Sequence, residues 1–153
     1  MKHLLIVAHA PSPNTVRLRD AAVDGASHAD ISGVDLRVKA PLSADADDVR
    51  WADGILLGTT ENLGYMAGAT KDFFDRVYYP VLEEKQGLPF GLYIRAGQDG
   101  TGTKRAITSI VTGLRWKAVA PPLVCRGDWQ DRFVDDVRDL GTLMAAGLEA
   151  SVF

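Results

Sequence analysis

The sequence predicts an α/β fold of three layers, with one five-stranded parallel sheet in the order 2-1-3-4-5 between two layers of helices. Three observations carry this. The runs Leu4-Leu-Ile-Val-Ala8, Gly54-Ile-Leu-Leu-Gly58 and Phe90-Gly-Leu-Tyr-Ile94 are continuously apolar, as strands covered on both faces of a parallel sheet must be. Stretches of helical periodicity separate them. Each run also breaks off into a polar loop marked by glycine or proline, and ligands bind such sheets beyond the carboxyl ends of their strands.

The first strand ends at His9. After Ala10-Pro-Ser-Pro13, helical spacing is read from Val16 to Ala26, with Asn14 or Thr15 as cap. Val34-Asp-Leu-Arg-Val38 alternates apolar and charged residues, which suits a wetter strand near the sheet edge. Ala44 to Asp53 reads as a short acidic helix, followed by the strand at Gly54 and a polar loop from Thr59 to Met66. From Ala67 the pattern is helical, with Phe73 and Val77, and Phe74 and Tyr78, at i,i+4 spacing; Pro80 ends or bends that helix. A glycine loop, Ala96 to Gly102, follows the fourth strand, and Ile107, Ile110, Val111 and Leu114 mark the next helix. Val119 to Cys125 forms the last strand, where an edge position tolerates Pro121 and Pro122. Phe133, Val137, Leu140 and Met144 line the final helix.

The 153 residues suit one domain, 1–153, with enough core to need neither disulfide nor metal. Seventeen Lys and Arg against twenty Asp and Glu leave a net charge of -3, so nothing favours nucleic acid or acidic membranes. A single cysteine, Cys125, excludes an intrachain disulfide and thiolate metal cages and points to a reducing cytoplasm. The N-terminal apolar run is shorter than a signal-peptide core, and no run approaches the about 20 residues of a membrane span. His3, His9 and His28 lack metal-ligand spacing, so no metal site is expected.

In the predicted order the chain reverses between strands one and three, and the loops His9–Thr15 and Thr59–Met66 meet there, with Ala96–Gly102 beside them. The first loop reads as a phosphate cradle. Ser12, Asn14 and Thr15 supply side-chain donors, and the N–H groups of Ser12 and of Asn14 to Val16 are candidates to turn inward at the helix start. A plain capped turn is the alternative. The loop has neither the P-loop glycine-lysine signature nor G-x-G-x-x-G, which argues against NTP and against a Rossmann NAD site. His9 is read either as a ring hydrogen-bonded in the loop or as a proton carrier.

The stretch Gly58-Thr-Thr-Glu-Asn-Leu-Gly-Tyr-Met-Ala-Gly-Ala-Thr-Lys-Asp-Phe-Phe-Asp75 resembles the ring-binding loop and following helix of the flavodoxin-like FMN reductases and quinone reductases. Ala8-His9 with the Pro, Ser and Asn that follow is similar to the phosphate loop of the quinone-reductase branch, although Ala10 and Thr60 stand where proline is common. The resemblance implies FMN as cofactor and NAD(P)H as donor. It implies a quinone-like or other small electron acceptor, and a homodimer or homotetramer in which a neighbour closes the flavin pocket. The cofactor-binding residues it implies are His9, Ser12, Asn14, Thr15 and Val16 for the phosphate, and Thr59, Thr60, Glu61, Asn62, Leu63, Gly64, Tyr65 and Met66 for the ring. Ala96, Gly97 and Gln98 would serve its pyrimidine edge. Tyr65 or Met66 would cover the ring face, and backbone donors would meet its polar edge. The flavin carries the reaction, so no catalytic side chain is named. Lys71 and Asp75 read as solvated or ion-paired, and Trp51, Trp116 and Trp129 as packing residues, with Trp129 also placed to reach a neighbouring subunit.

Two other functions remain beside an FMN-dependent NAD(P)H oxidoreductase: an electron carrier of the flavodoxin type, and a flavodoxin-like binding module without cofactor. Carriers present a strongly acidic face, whereas this chain is mildly acidic. A phosphorelay receiver is disfavoured because the strands end in Ala8-His9 and Thr59-Thr60 rather than in aspartates, and no G-x-S-x-G elbow marks a serine hydrolase.

Overall fold

The computed structural model describes residues 1–153. Its elements are β1 (Lys2–Ala8), α1 (Pro13–Ala26), β2 (Val34–Lys39), α2 (Ala46–Trp51), β3 (Gly54–Asn62), β4 (Tyr65–Met66), α3 (Gly68–Val81), β5 (Pro89–Ala96), α4 (Thr101–Gly113), β6 (Lys117–Ala118), β7 (Leu123–Arg126) and α5 (Arg132–Glu149). The sheet has seven strands, running β2-β1-β3-β5-β6, with β4 paired to β3 and β7 paired to β5. This corrects the expected five strands in the order 2-1-3-4-5.

Both additions have local causes. Beyond its apolar run β3 continues through Thr59 to Asn62, then turns at Leu63 and Gly64, whose φ values are 53° and 74°. Two successive left-handed residues make the tight hairpin turn whose twist matches antiparallel strands, so Asn62 pairs with Tyr65 and Glu61 with Met66. The expected loop from Thr59 to Met66 is therefore a β-hairpin. At the far edge, Pro121 and Pro122 have no N–H to give a ladder, so of the expected strand Val119–Cys125 only the second part forms, as β7, while the short β6 lies ahead of it. Lys117 pairs with Pro89 at the start of β5, and Leu123 with Tyr93 near its end. β2, with its alternating charges, lies at the opposite edge.

Helix starts shift for similar reasons. α1 begins three residues before Val16, because Pro13 sits at its first position with φ already set and Ser12, rather than Asn14 or Thr15, is the cap. α2 is shorter than expected, capped by Asp45 and ended after Trp51.

Leu5, Val7, Ile55, Leu57 and Ile94 face α3 and α4, packing on Phe73, Phe74, Ile107 and Trp116. Leu4, Ile6, Leu56, Tyr93 and Cys125 face α1 and α5. Two glycines let these helices touch: a Cβ on Gly25 would stand 2.0 Å from the Arg138 carbonyl oxygen, and one on Gly141 2.3 Å from that of Ala22. β1, β3, β5 and β7 are parallel, so their carboxyl ends and the loops after them share one rim. No helix is long and apolar enough to cross a membrane.

Candidate functional site

The rim begins at the loop between β1 and α1. Its register with β3 is direct: Ala8 pairs with Gly58, and the His9 N–H donates to the Gly58 carbonyl at 2.9 Å. The His9 ring is half-buried and makes no hydrogen bond in the loop; burial pushes its pKa below the ordinary value, so it is neutral at pH 7.

The start of α1 is a closed capping box. The Thr15 N–H donates to Ser12 Oγ at 3.3 Å, the Ser12 N–H donates to Thr15 Oγ1 at 2.9 Å, and the two hydroxyls lie 2.8 Å apart. The Val16 N–H is also used, by the Ser12 carbonyl. Of the donors expected to turn inward, the N–H groups of Ser12, Thr15 and Val16 are thus satisfied within the loop. The N–H of Asn14 is left for an anion, together with the Asn14 side chain, whose Oδ1 accepts from Arg17 at 3.5 Å.

The hairpin and the loop after β5 form one unit. Glu61 spans them: Oε1 accepts from the Gln98 N–H and Oε2 from the Gly100 N–H, each at 2.9 Å. The Thr103 hydroxyl donates to the Tyr65 carbonyl at 2.8 Å, and a Cβ on Gly102 would stand 1.9 Å from the Gly64 carbonyl oxygen. Gly102 is therefore required for the hairpin tip to rest on α4. The Gln98 N–H, expected at the pyrimidine edge of a ring, is committed to Glu61, while the side of Gly97 that a Cβ would occupy is open.

The hairpin side chains divide between core and surface. Thr59 is buried, its hydroxyl 3.0 Å from that of Thr70 and accepting from the Ala67 N–H; Met66, 2% exposed, belongs to the core. Thr60 donates to Asn62 Oδ1 at 2.8 Å, and Asn62, Leu63 and Tyr65 stand in solvent. Tyr65 rather than Met66 is the aromatic plate available at the rim. Lys71 and Asp75 are paired with each other on α3.

A further cluster was not read from the sequence. Trp129, in the loop between β7 and α5, has the Arg17 guanidinium 5.1 Å and the Arg95 guanidinium 5.7 Å from its ring centre. Arg95 also donates to the carbonyls of Ala96 and Cys125, and Asp131 accepts from Arg17 and from the Trp129 indole. Trp129 thus ties α1, β5 and α5 together above the sheet. The available signal was Arg95 itself, a charge directly after the apolar run Phe90–Ile94.

The space between the loops is an open crest. Three surface cavities lie elsewhere, one of about 200 Å³ near Asp53 and Lys85 at the opposite end of the sheet, one between α1 and α5 and one between α3 and α4; a fourth lies at the start of α4, lined by Thr101, Lys104, Arg105 and Thr108.

No family model matches the sequence. A flavodoxin of Aquifex aeolicus (strain VF5) is 30% identical over 114 residues, covering 74% of this chain. The chain spans about 60% of the length of that relative. Among solved structures, a flavodoxin from the domain Archaea superposes with a TM-score of 0.79 at 19% identity, covering 97% of this chain and 99% of that one. A flavodoxin, WrbA-like protein from Agrobacterium tumefaciens gives 0.75 at 16% identity, covering 98% and 99%. The flavodiiron protein from Giardia intestinalis gives 0.80 at 14%, covering 98% of this chain and 37% of that one. Parallel strands with helices on both faces, loops gathered at one rim and superposition over nearly the whole chain show that this protein has the flavodoxin-like fold.

Proposed function

We propose that the chain binds FMN at this rim and serves in electron transfer. The observation that carries the reading is the meeting of three loops at the carboxyl ends of β1, β3 and β5, with a free amide at the start of α1 and an exposed tyrosine on the adjoining hairpin. The similarity to flavodoxins supports it.

The residues present fit this group. The phosphate would take the Asn14 N–H and side-chain amide, and the half-buried Ser12 hydroxyl is a rotor that can turn outward to donate, while Thr15, buried and donating to the Ser12 carbonyl, holds the cap. The positive end of α1 favours the phosphate charge. The flat ring would lie against Tyr65, with Gly64 and Gly97 leaving room for close approach. When bound, the flavin supplies the reversible uptake of electrons. Glu61 holds the loop after β5 in place for it, and Trp129 keeps Arg17 and Arg95 above the sheet. His9, neutral at pH 7, adds no charge to the phosphate loop.

The second reading is an NAD(P)H-dependent oxidoreductase that passes electrons to a quinone-like or other small acceptor. The net charge of only -3 favours it over a strongly acidic carrier. The visible spectrum of protein reconstituted with FMN tests both. Flavin bands that persist through gel filtration are expected, and protein that stays colourless ends both. Steady NAD(P)H oxidation with a quinone then selects the enzyme, and its absence selects the carrier.

A further inference from the structure

Eight of the chain's lysines and arginines are within salt-bridge distance of no carboxylate. Three of them, Lys2, Lys85 and Lys117, lie at the end of the sheet away from the rim. The other five are gathered at the rim: Arg95 at the end of β5, Lys104 and Arg105 early in α4, Arg126 at the end of β7 and Arg132 at the start of α5.

Most carboxylates nearby have hydrogen-bond partners of their own, although Asp99, Asp128 and Asp131 are exposed and Asp128 is unpaired. Glu61 holds two amides, Asp131 holds Arg17 and the Trp129 indole, and Asp99 accepts from the Thr101 N–H. Residues 95–105 and 126–132 together carry five cations against three carboxylates, a local excess of two positive charges in a chain whose total is -3. An apolar centre adjoins them. Leu63 is fully exposed at the hairpin tip, Tyr65 is 41% exposed, and the tip rests on the first turn of α4.

We propose that this rim is the docking surface for an acidic redox protein, with Leu63 and Tyr65 at the contact centre and Lys104, Arg105, Arg126 and Arg132 as the cationic collar. The proposal rests on the electron-transfer reading above. An apolar centre within a charged rim is the anatomy of a transient protein interface. Lys104 and Arg105 share a cavity on α4, but Arg126 and Arg132 stand on β7 and α5, so the collar as a whole matches a broad acidic surface rather than one small anion. Unpaired exposed charges of one sign act mainly by steering a partner of the opposite sign, which makes association dependent on ionic strength.

The test titrates the FMN-reconstituted protein by calorimetry with a strongly acidic [2Fe–2S] ferredoxin and, separately, with a basic c-type cytochrome. The ferredoxin is expected to bind more tightly than the cytochrome. Its affinity should fall at least about tenfold between about 20 mM and about 300 mM salt, as screening shortens the reach of the collar. The variant Lys104→Glu/Arg126→Glu/Arg132→Glu should weaken ferredoxin about a hundredfold or more. The single Arg126→Gln change, which removes one exposed charge, should weaken it several-fold. Tighter binding of the cytochrome, or ferredoxin affinity unchanged in Arg126→Gln and in the folded triple variant, overturns the proposal. So does a loss confined to a reduced nicotinamide dinucleotide titrated in parallel, which would assign the cations to a small anion. The flavin spectrum reports separately: colourless protein that still binds ferredoxin removes the flavin reading and keeps the surface, whereas yellow protein that does not removes the surface alone.

Discussion

Replacing Glu61 by alanine removes the carboxylate that joins the β3–β4 hairpin to the loop after β5. Two hydrogen bonds are lost, from the Gln98 and Gly100 amides, each 2.9 Å long. Hydrogen bonds to a charged acceptor contribute about 1.5–3 kcal/mol each, and the partial exposure of Glu61 lowers this to roughly 1 kcal/mol apiece. The loop then opens about 2 kcal/mol more easily, which at about 1.4 kcal/mol per factor of ten is roughly a thirtyfold rise in local opening. The assay is amide hydrogen exchange at Gln98 and Gly100, with amides of central β3 such as Leu56 as internal standard. Exchange should rise at the two loop amides and stay level in the strand. FMN affinity should fall up to about tenfold, because binding must then order the loop. Glu61→Gln, which keeps one acceptor oxygen, should fall between. Unchanged exchange at both amides would refute the latch, and with it the positioning role given to Glu61.

Three other predictions concern separate parts of the molecule. Asn14→Asp places a carboxylate beside the free amide at the start of α1; FMN affinity measured by fluorescence titration should drop at least about tenfold while the melting temperature holds, since acids near a helix N-terminus are favourable by about 0.3–1 kcal/mol. Asp48 is buried, which alone would raise its pKa, but hydrogen bonds from Lys39, the Asp45 N–H and Arg37 outweigh burial and hold the carboxyl below its usual value. Its stabilisation is therefore present above the unfolded carboxyl pKa of about 3.9 and lost as pH falls through the folded value. Asp48→Asn should cost about 2 kcal/mol at pH 7, less than a fully buried pair because Arg37 and Lys39 remain partly hydrated, and the gap to wild type in urea unfolding should close in acid. The Tyr93 hydroxyl is buried against Gly58 without a hydrogen-bond partner, and desolvation raises its pKa far above the ordinary phenol range. Tyr93→Phe should stabilise by about 1 kcal/mol, a rise of roughly 2–4 °C in melting temperature; a fall would mean that the hydroxyl is partnered.

What could be read from the residues alone were the features written in short stretches. The apolar runs at Leu4, Gly54 and Phe90 and the alternation at Val34 gave the parallel core and the edge strand, because burial on two faces or on one imposes those patterns within five residues. The extra strands escaped for local reasons: Leu63 is a non-glycine residue in a left-handed turn, and Pro121-Pro122 divide an edge that apolar content alone makes continuous. Ser12 as the cap was hidden by neighbouring residues equally able to cap.

Periodicity and turn chemistry, which act between near neighbours, suffice for the layered α/β class and for which loops leave the carboxyl ends of the strands. Tertiary structure alone decided that Ser12 and Thr15 close on each other, that Glu61 takes the amides of Gln98 and Gly100, and that Trp129 stands between Arg17 and Arg95. Most of these partners lie tens of residues apart, and even the Ser12–Thr15 pair depends on backbone angles set at the helix start. Which donors remain free at the rim is a property of the folded chain, because each amide or cation is used or spared only when its distant neighbour arrives.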